Sequence, residues 1–355
     1  GLKFRSSFGV EMIFSSNDGY QMPYWLGRYT YIDRSSVWSS MDRYFTWQVE
    51  NTLSYNCMIA DKHSMTVLVG QSAMSSASQS VGGASYDLGN PKQPWIDNTE
   101  SDVNSRNAWG SMSPYHRLLS WFGRISYNYD ERYMAEVTLR RDGSSNFGPS
   151  HKWATFPSVS LGWNITNEPF MKNRPLQISS LKLRGSWGLN GNESIGSFHY
   201  LSTVTSSGVG YILGPEGLNE IKPGAVTLAY PNHELKWEQS EQFNIGLDAA
   251  FFGNSLTFTF DWFDKRTNGM LMTEPLPQYI GNSRPYGNVG NMKNSGVEMD
   301  ICYRYSRNAF SFDIGANATY VKNRVVNLGN QNGWANYDTV LGNIGTITRA
   351  ENGEP

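Results

Sequence analysis

The chain has 355 residues, a formal net charge of −2, 17% charged and 14% aromatic residues. A near-neutral net charge gives no argument for nucleic-acid binding. No run of about 18 apolar residues occurs, so no transmembrane helix is expected, and Gly1-Leu2-Lys3-Phe4-Arg5 lacks the apolar core of a signal peptide.

Eleven segments carry a strand pattern: 2–12, 43–55, 63–72, 118–129, 132–142, 153–165, 180–188, 240–252, 255–266, 293–305 and 309–322. Their apolar and polar residues alternate with period two, which sorts side chains onto opposite faces of a strand. Between 118 and 142, Trp121, Ile125, Tyr127, Tyr129, Tyr133, Val137 and Leu139 form one set, and Arg124, Asn128, Glu136 and Arg140 the other. Segment 153–165 sets Val159, Leu161 and Trp163 against Ser158, Ser160 and Asn164, and 255–266 sets Leu256, Phe258, Phe260 and Trp262 against Thr257, Thr259 and Asp261. In 293–305 and 309–322 the apolar sets Val297, Met299, Ile301, Tyr303 and Phe312, Ile314, Ala316, Ala318 oppose Glu298, Asp300, Arg304 and Asp313, Asn317, Thr319. Short turns fall at Asp130-Glu131-Arg132, Gly253-Asn254 and Ser306-Arg307-Asn308, with a slightly longer one at 56–62. Long connections are expected at 13–42, 73–117, 189–239, 267–292 and 323–355, and Ser72–Ser80 reads as a solvated loop. Strands of about ten residues, short turns at one end and long loops at the other describe an antiparallel transmembrane β-barrel. The fold class is therefore all-β. Trp121, Tyr129, Tyr133, Trp153, Trp163, Trp187, Trp262 and Tyr305 suit an aromatic girdle at the membrane boundaries.

Little in the chain suggests catalysis. None of His63, His116, His151, His199 and His233 belongs to a His-Glu-x-x-His motif. Cys57 and Cys302 are far apart and read as separate thiols. Asp142-Gly143-Ser144-Ser145-Asn146 lacks the acidic density of a calcium loop and reads as a tight turn. No enzyme activity, metal or cofactor is expected. The polar-face residues Glu136, Arg140, Arg184, Asp248, Asp261, Glu298, Asp300 and Arg304 are expected to line a lumen, because a charge facing lipid at midplane costs about 2–4 kcal/mol. Aromatic residues in the long connections, Tyr24, Trp25, Trp38, Trp95, Trp109 and Tyr211, are candidate contacts for a substrate or a lid, since a flat ring stacks on the C–H face of a sugar.

Several segments resemble one family. Leu139-Arg140-Arg141-Asp142-Gly143-Ser144-Ser145-Asn146-Phe147-Gly148 and Trp153-Ala154-Thr155-Phe156-Pro157-Ser158-Val159-Ser160-Leu161-Gly162-Trp163 are similar to hallmarks of the SusC/RagA-type TonB-dependent outer-membrane transporters of Bacteroidetes. So are Leu181-Lys182-Leu183-Arg184-Gly185-Ser186-Trp187-Gly188, Leu235-Lys236-Trp237-Glu238-Gln239 and Asn288-Val289-Gly290 with Asn294-Ser295-Gly296-Val297-Glu298. The resemblance covers about 118–322. It implies a 22-stranded barrel with an internal plug, a SusD-like surface lipoprotein as lid, TonB as energy source, and a glycan or peptide as substrate, with glycan favoured by the loop aromatics. Residues 1–355 then make one partial barrel domain of about eleven strands, surrounded by outer-membrane lipid, and no segment resembles a plug or a TonB-contacting region. The chain is expected to be an internal piece of a longer polypeptide. Two other classes stay open on the residues alone: a passive porin or translocon barrel, and a soluble secreted glycan-binding or glycoside-hydrolase β-protein.

Overall fold

The computed structural model describes residues 1–99, 106–172, 177–206, 210–212, 221–274, 283–340 and 346–355. Eleven long strands dominate: β1 (Leu2–Gln21), β2 (Ser36–Ile59), β3 (His63–Tyr86), β4 (His116–Tyr129), β5 (Tyr133–Ser144), β6 (Trp153–Asn164), β7 (Ile178–Asn192), β8 (Glu238–Phe251), β9 (Leu256–Thr273), β10 (Tyr286–Arg307) and β11 (Phe310–Asn327). Their order in the sheet is their order in the chain, a meander in which each strand neighbours the next, and a shorter strand, Asn107–Met112, also pairs with β3. From β5 to β11 every pairing is antiparallel.

The turns explain why the order is so regular. Between β4 and β5, Asp130 and Glu131 have φ of 50° and 54°, and the Arg132 amide donates to the Tyr129 carbonyl at 2.8 Å. Positive φ at both central residues is the turn geometry that matches the twist of paired strands. Ala60 and Asp61, at 51° and 54°, repeat it between β2 and β3.

All eleven expected strands are present, but several run longer than the alternation indicated. β1, β2 and β3 continue well into 13–42 and 73–117, so 13–42 is largely strand, and 73–86 is strand, rather than loop. Ser72–Ser80 lies within β3, against its reading as a solvated loop. Small Ser, Ala and Gly side chains leave the backbone free to continue its ladder without an apolar stripe to mark it.

The chain divides into two compact units. One holds Gly1–Arg5, Asn51–Gln71 and Leu119–Pro355; the other holds Ser6–Glu50 and Ser72–Leu118. In the first unit the alternation becomes two distinct faces. The apolar face carries Val137, Leu139 and Leu161, each half exposed or more at 50%, 54% and 61%. The first unit's buried apolar residues are few, and four of them, Phe147, Phe156, Leu235 and Trp237, gather beside the β5–β6 and β7–β8 connections. A sheet that exposes its apolar face and buries so little needs a medium other than water on that face. No helix among the described residues is long and apolar enough to cross a membrane.

Candidate functional site

Register places most of the charged candidates on the polar face of the first unit. Arg184 on β7 pairs with Gly246 on β8, which pairs with Asp261 on β9, which pairs with Glu298 on β10. Asp248 stands two residues from Gly246 on the same face. The Arg184 guanidinium donates to Asp248 through Nε at 2.7 Å and a terminal nitrogen at 2.9 Å, and to Asp261 at 3.0 Å. It reaches Asp261 by crossing over Gly246, where an added Cβ would lie 2.4 Å from Asp261 Oδ1 and 2.7 Å from Arg184 Cζ. Glycine at this strand position is thus a crossing point for a side chain. One Arg joining two carboxylates by charge-assisted bonds fixes the spacing of three strands.

The remaining charged candidates separate by partner. Glu136 accepts from Ser126 Oγ at 2.6 Å and lies 4.0 Å from Arg124. Arg140 binds both Asp142 oxygens at 2.8 Å, donates to Ser120 Oγ at 3.0 Å and lies over the Phe122 ring. Arg304 donates to Asp313 at 3.0 Å. Glu298 and Asp300 are exposed and make no ion pair among the described residues. A depression of about 530 Å³ opens on this face between Glu136, Ser160, Lys182, Arg184 and Asn244. It is open and lined by strand residues of both kinds, Glu136, Lys182 and Arg184 beside Met134 and Leu161.

The aromatic candidates divide differently. Tyr24 and Trp25 belong to a small hairpin, Tyr24–Gly27 with Thr30–Ile32, rather than to a loop. Trp25 stacks on Tyr31 with ring centroids 4.4 Å apart and planes at 24°, and is 69% exposed. Trp95 is 59% exposed in a turn. Trp38 lies in β2 against Gly19, and Trp109 lies in Asn107–Met112 against Gly82, where an added Cβ would meet their rings at 2.3 Å and 2.5 Å. Those two rings occupy space that the glycines leave open and so pack locally. The side chain of Tyr211 lies outside the described residues.

One cluster carries no expected role from sequence. Asn146 donates to the Glu193 and Ile195 carbonyls at 3.2 and 3.1 Å and accepts from Ser197 Oγ at 3.2 Å. Beside it, Phe147 and Phe156 pack on Trp237 at 5.3 and 5.5 Å, and Trp237 Nε1 donates to the Lys152 carbonyl at 3.1 Å. Asp142-Gly143-Ser144-Ser145-Asn146 is therefore a strand end that anchors the β7–β8 connection. Its signal in the sequence is an Asn-Phe-Gly run next to polar residues, ambiguous until its partners are known. No group of three or more His, Cys, Asp or Glu residues suited to a metal occurs among the described residues. Cys57 and Cys302 are both free thiols.

Comparison with known proteins adds a second line of evidence. A family model described as TonB dependent receptor-like, beta-barrel, matches residues 2–347. TonB-dependent receptor P39 of Formosa agariphila is 32% identical over 295 residues, covering 83% of this chain and 27% of the relative. TonB-dependent receptor SusC of Bacteroides thetaiotaomicron is 34% identical over 216 residues, covering 59% of this chain and 21% of the relative. Among solved structures, the RagAB peptide transporter superposes with a TM-score of 0.83 at 26% identity, covering 100% of this chain and 37% of that chain. The chain thus spans about a fifth to a third or so of the length of these relatives.

Proposed function

The chain belongs to the TonB-dependent receptor β-barrel family of outer-membrane transporters, and from that premise we propose that the protein it is drawn from imports a bulky nutrient across the bacterial outer membrane. The single observation that carries this reading is the division of the sheet into an exposed apolar face for lipid and a polar face bearing Arg184, Asp248, Asp261, Glu298 and Asp300. In this reading the polar face lines the translocation channel. The paired charges hold the wall, while unpaired Glu298 and Asp300 meet a plug or the passing solute. TonB supplies energy through a region outside this chain, and a SusD-like lipoprotein forms the lid.

A glycan is the favoured substrate. The stacked and exposed Trp25–Tyr31 pair supports it, together with exposed Trp95. Trp38, Trp109, Tyr24 and Tyr211 are weaker contacts in this scheme, with Trp38 and Trp109 committed to packing on glycine. Peptide import is the specific competitor, since the RagAB relative is a peptide transporter.

The test compares cells with and without the full-length gene, supplied with labelled oligosaccharides and oligopeptides of similar mass. Oligosaccharide uptake should depend on the gene and stop when a protonophore collapses the energy supply. Gene-dependent uptake that survives the protonophore would establish a passive pore instead. Loss of peptide uptake alone would overturn the glycan assignment. Trp25→Ala should raise the half-saturating oligosaccharide concentration about threefold to tenfold, the loss of one ring contact.

A further inference from the structure

The charges on the polar face are mostly matched in pairs. A second set, on the apolar face, is matched only in part. Ile245, Trp262, Val297 and Tyr320 are register partners on the apolar face of β8 to β11. Two residues further along, toward the long connections, that face carries Phe243, Asp264, Ser295 and Lys322; four residues further it carries Glu241, Arg266, Lys293 and Arg324. With a rise of about 3.3 Å per residue, these rows stand roughly 7 and 13 Å beyond the aromatic row. Arg266, Lys293 and Arg324 are direct cross-strand neighbours, so three cations span about 10 Å of sheet.

Like charges placed directly opposite one another destabilise a sheet. Asp264 offsets part of this, bonding Lys293 at 2.7 Å and Arg266 at 3.0 Å, and Glu241, which accepts from Trp187 Nε1 at 2.9 Å, stands directly opposite Arg266. Nothing comparable serves the other two: Lys322 and Arg324 are exposed, and no carboxylate pairs with either among the described residues. Glu354, whose carbonyl accepts from the Val325 amide, makes no ion pair with Arg324. The row lies on the face that meets lipid, just past the aromatic band, at the depth of lipid headgroups. Guanidinium and ammonium groups together bind phosphate oxygens well.

We propose that Arg266, Lys293, Lys322 and Arg324 form a binding site for a phosphate of an outer-leaflet glycolipid. The lipid phosphate supplies, at Lys322 and Arg324, the anion that Asp264 and Glu241 supply on the Arg266 side, and its acyl chains lie along the apolar face below Trp262 and Tyr320. This site rests on the outer-membrane placement of the chain and is independent of what the transporter carries.

The test uses the full-length protein in lipid nanodiscs, with lipopolysaccharide as probe, before and after enzymatic dephosphorylation, and native mass spectrometry to count bound lipid. The phosphorylated form should be retained at least about tenfold more strongly than the dephosphorylated form. The double variant Lys322→Gln/Arg324→Gln should erase that preference, at about fivefold per cation near a membrane surface. Ser295→Asp, which places a carboxylate inside the patch, should do the same without removing any cation. Equal retention of both lipids, or variants that keep the preference, would overturn the proposal. Displacement by millimolar inorganic phosphate would overturn its lipid source.

Discussion

Gly246 is the residue on which the polar face turns. With no Cβ it lets Arg184 pass over β8 to Asp261, and any larger side chain must displace that ion pair. Gly246→Val should therefore lower stability by about 2 kcal/mol, measured as a shifted urea midpoint for the full-length protein in lipid vesicles. Gly185→Ala, on the other face with nothing within 4 Å of an added Cβ, should leave the midpoint unchanged. Glu168 carries a different consequence. It lies between strands, outside the membrane-spanning segments, and accepts hydrogen bonds from the Tyr133 hydroxyl and from Trp163 Nε1 at 2.9 Å, with Arg132 3.9 Å away. The Tyr133 bond first, then the Trp163 bond, hold its carboxyl below the usual range against opposing desolvation. A depressed pKa stabilises the fold above the unfolded value of 4.5 and is lost as pH falls through the folded value. Glu168→Gln should flatten the fall in unfolding midpoint below pH 4.5 that the wild type shows. None of this was legible in the sequence, because Gly246 reads as any strand glycine and Glu168 as any turn carboxylate until register and turn supply their neighbours.

The strands themselves were legible where one face meets lipid. Residues 256–262 and 297–303 alternate cleanly because every second side chain there must be apolar. The signal fades where β1, β2 and β3 continue as strand beyond their alternating cores, with polar residues such as Ser72–Ser80 and no apolar stripe. There backbone pairing sustains the strand, and its polar residues read as loop. The aromatic candidates suffered for the same reason. Trp38 and Trp109 read as loop residues, yet each is a strand residue seated on a glycine of its neighbour. The Phe147–Phe156–Trp237 cluster shows the converse: residues from three places in the chain combine to hold one connection. Trp237→Ala should cost about 3–5 kcal/mol locally, seen as faster protease cleavage between 189 and 237 with the β9–β11 core still protected.

At the scale of the whole molecule, one property underlies the rest: each long strand has a lipid side and a water side. Membership of the TonB-dependent receptor β-barrel family and the exposed apolar face are independent grounds for it. The proposed substrate recognition, plug and lid build on that property without altering it. The most direct measurement replaces Cys57 and Cys302, then places a spin label in turn at positions 297 to 301 of β10 in the full-length protein in membranes. Collision rates with oxygen, which concentrates in lipid, are compared with those of a water-soluble nickel complex. Oxygen accessibility should peak at Val297, Met299 and Ile301 and fall at Glu298 and Asp300. A flat profile, or peaks at Glu298 and Asp300, would contradict the assignment of the two faces and with it the transport reading.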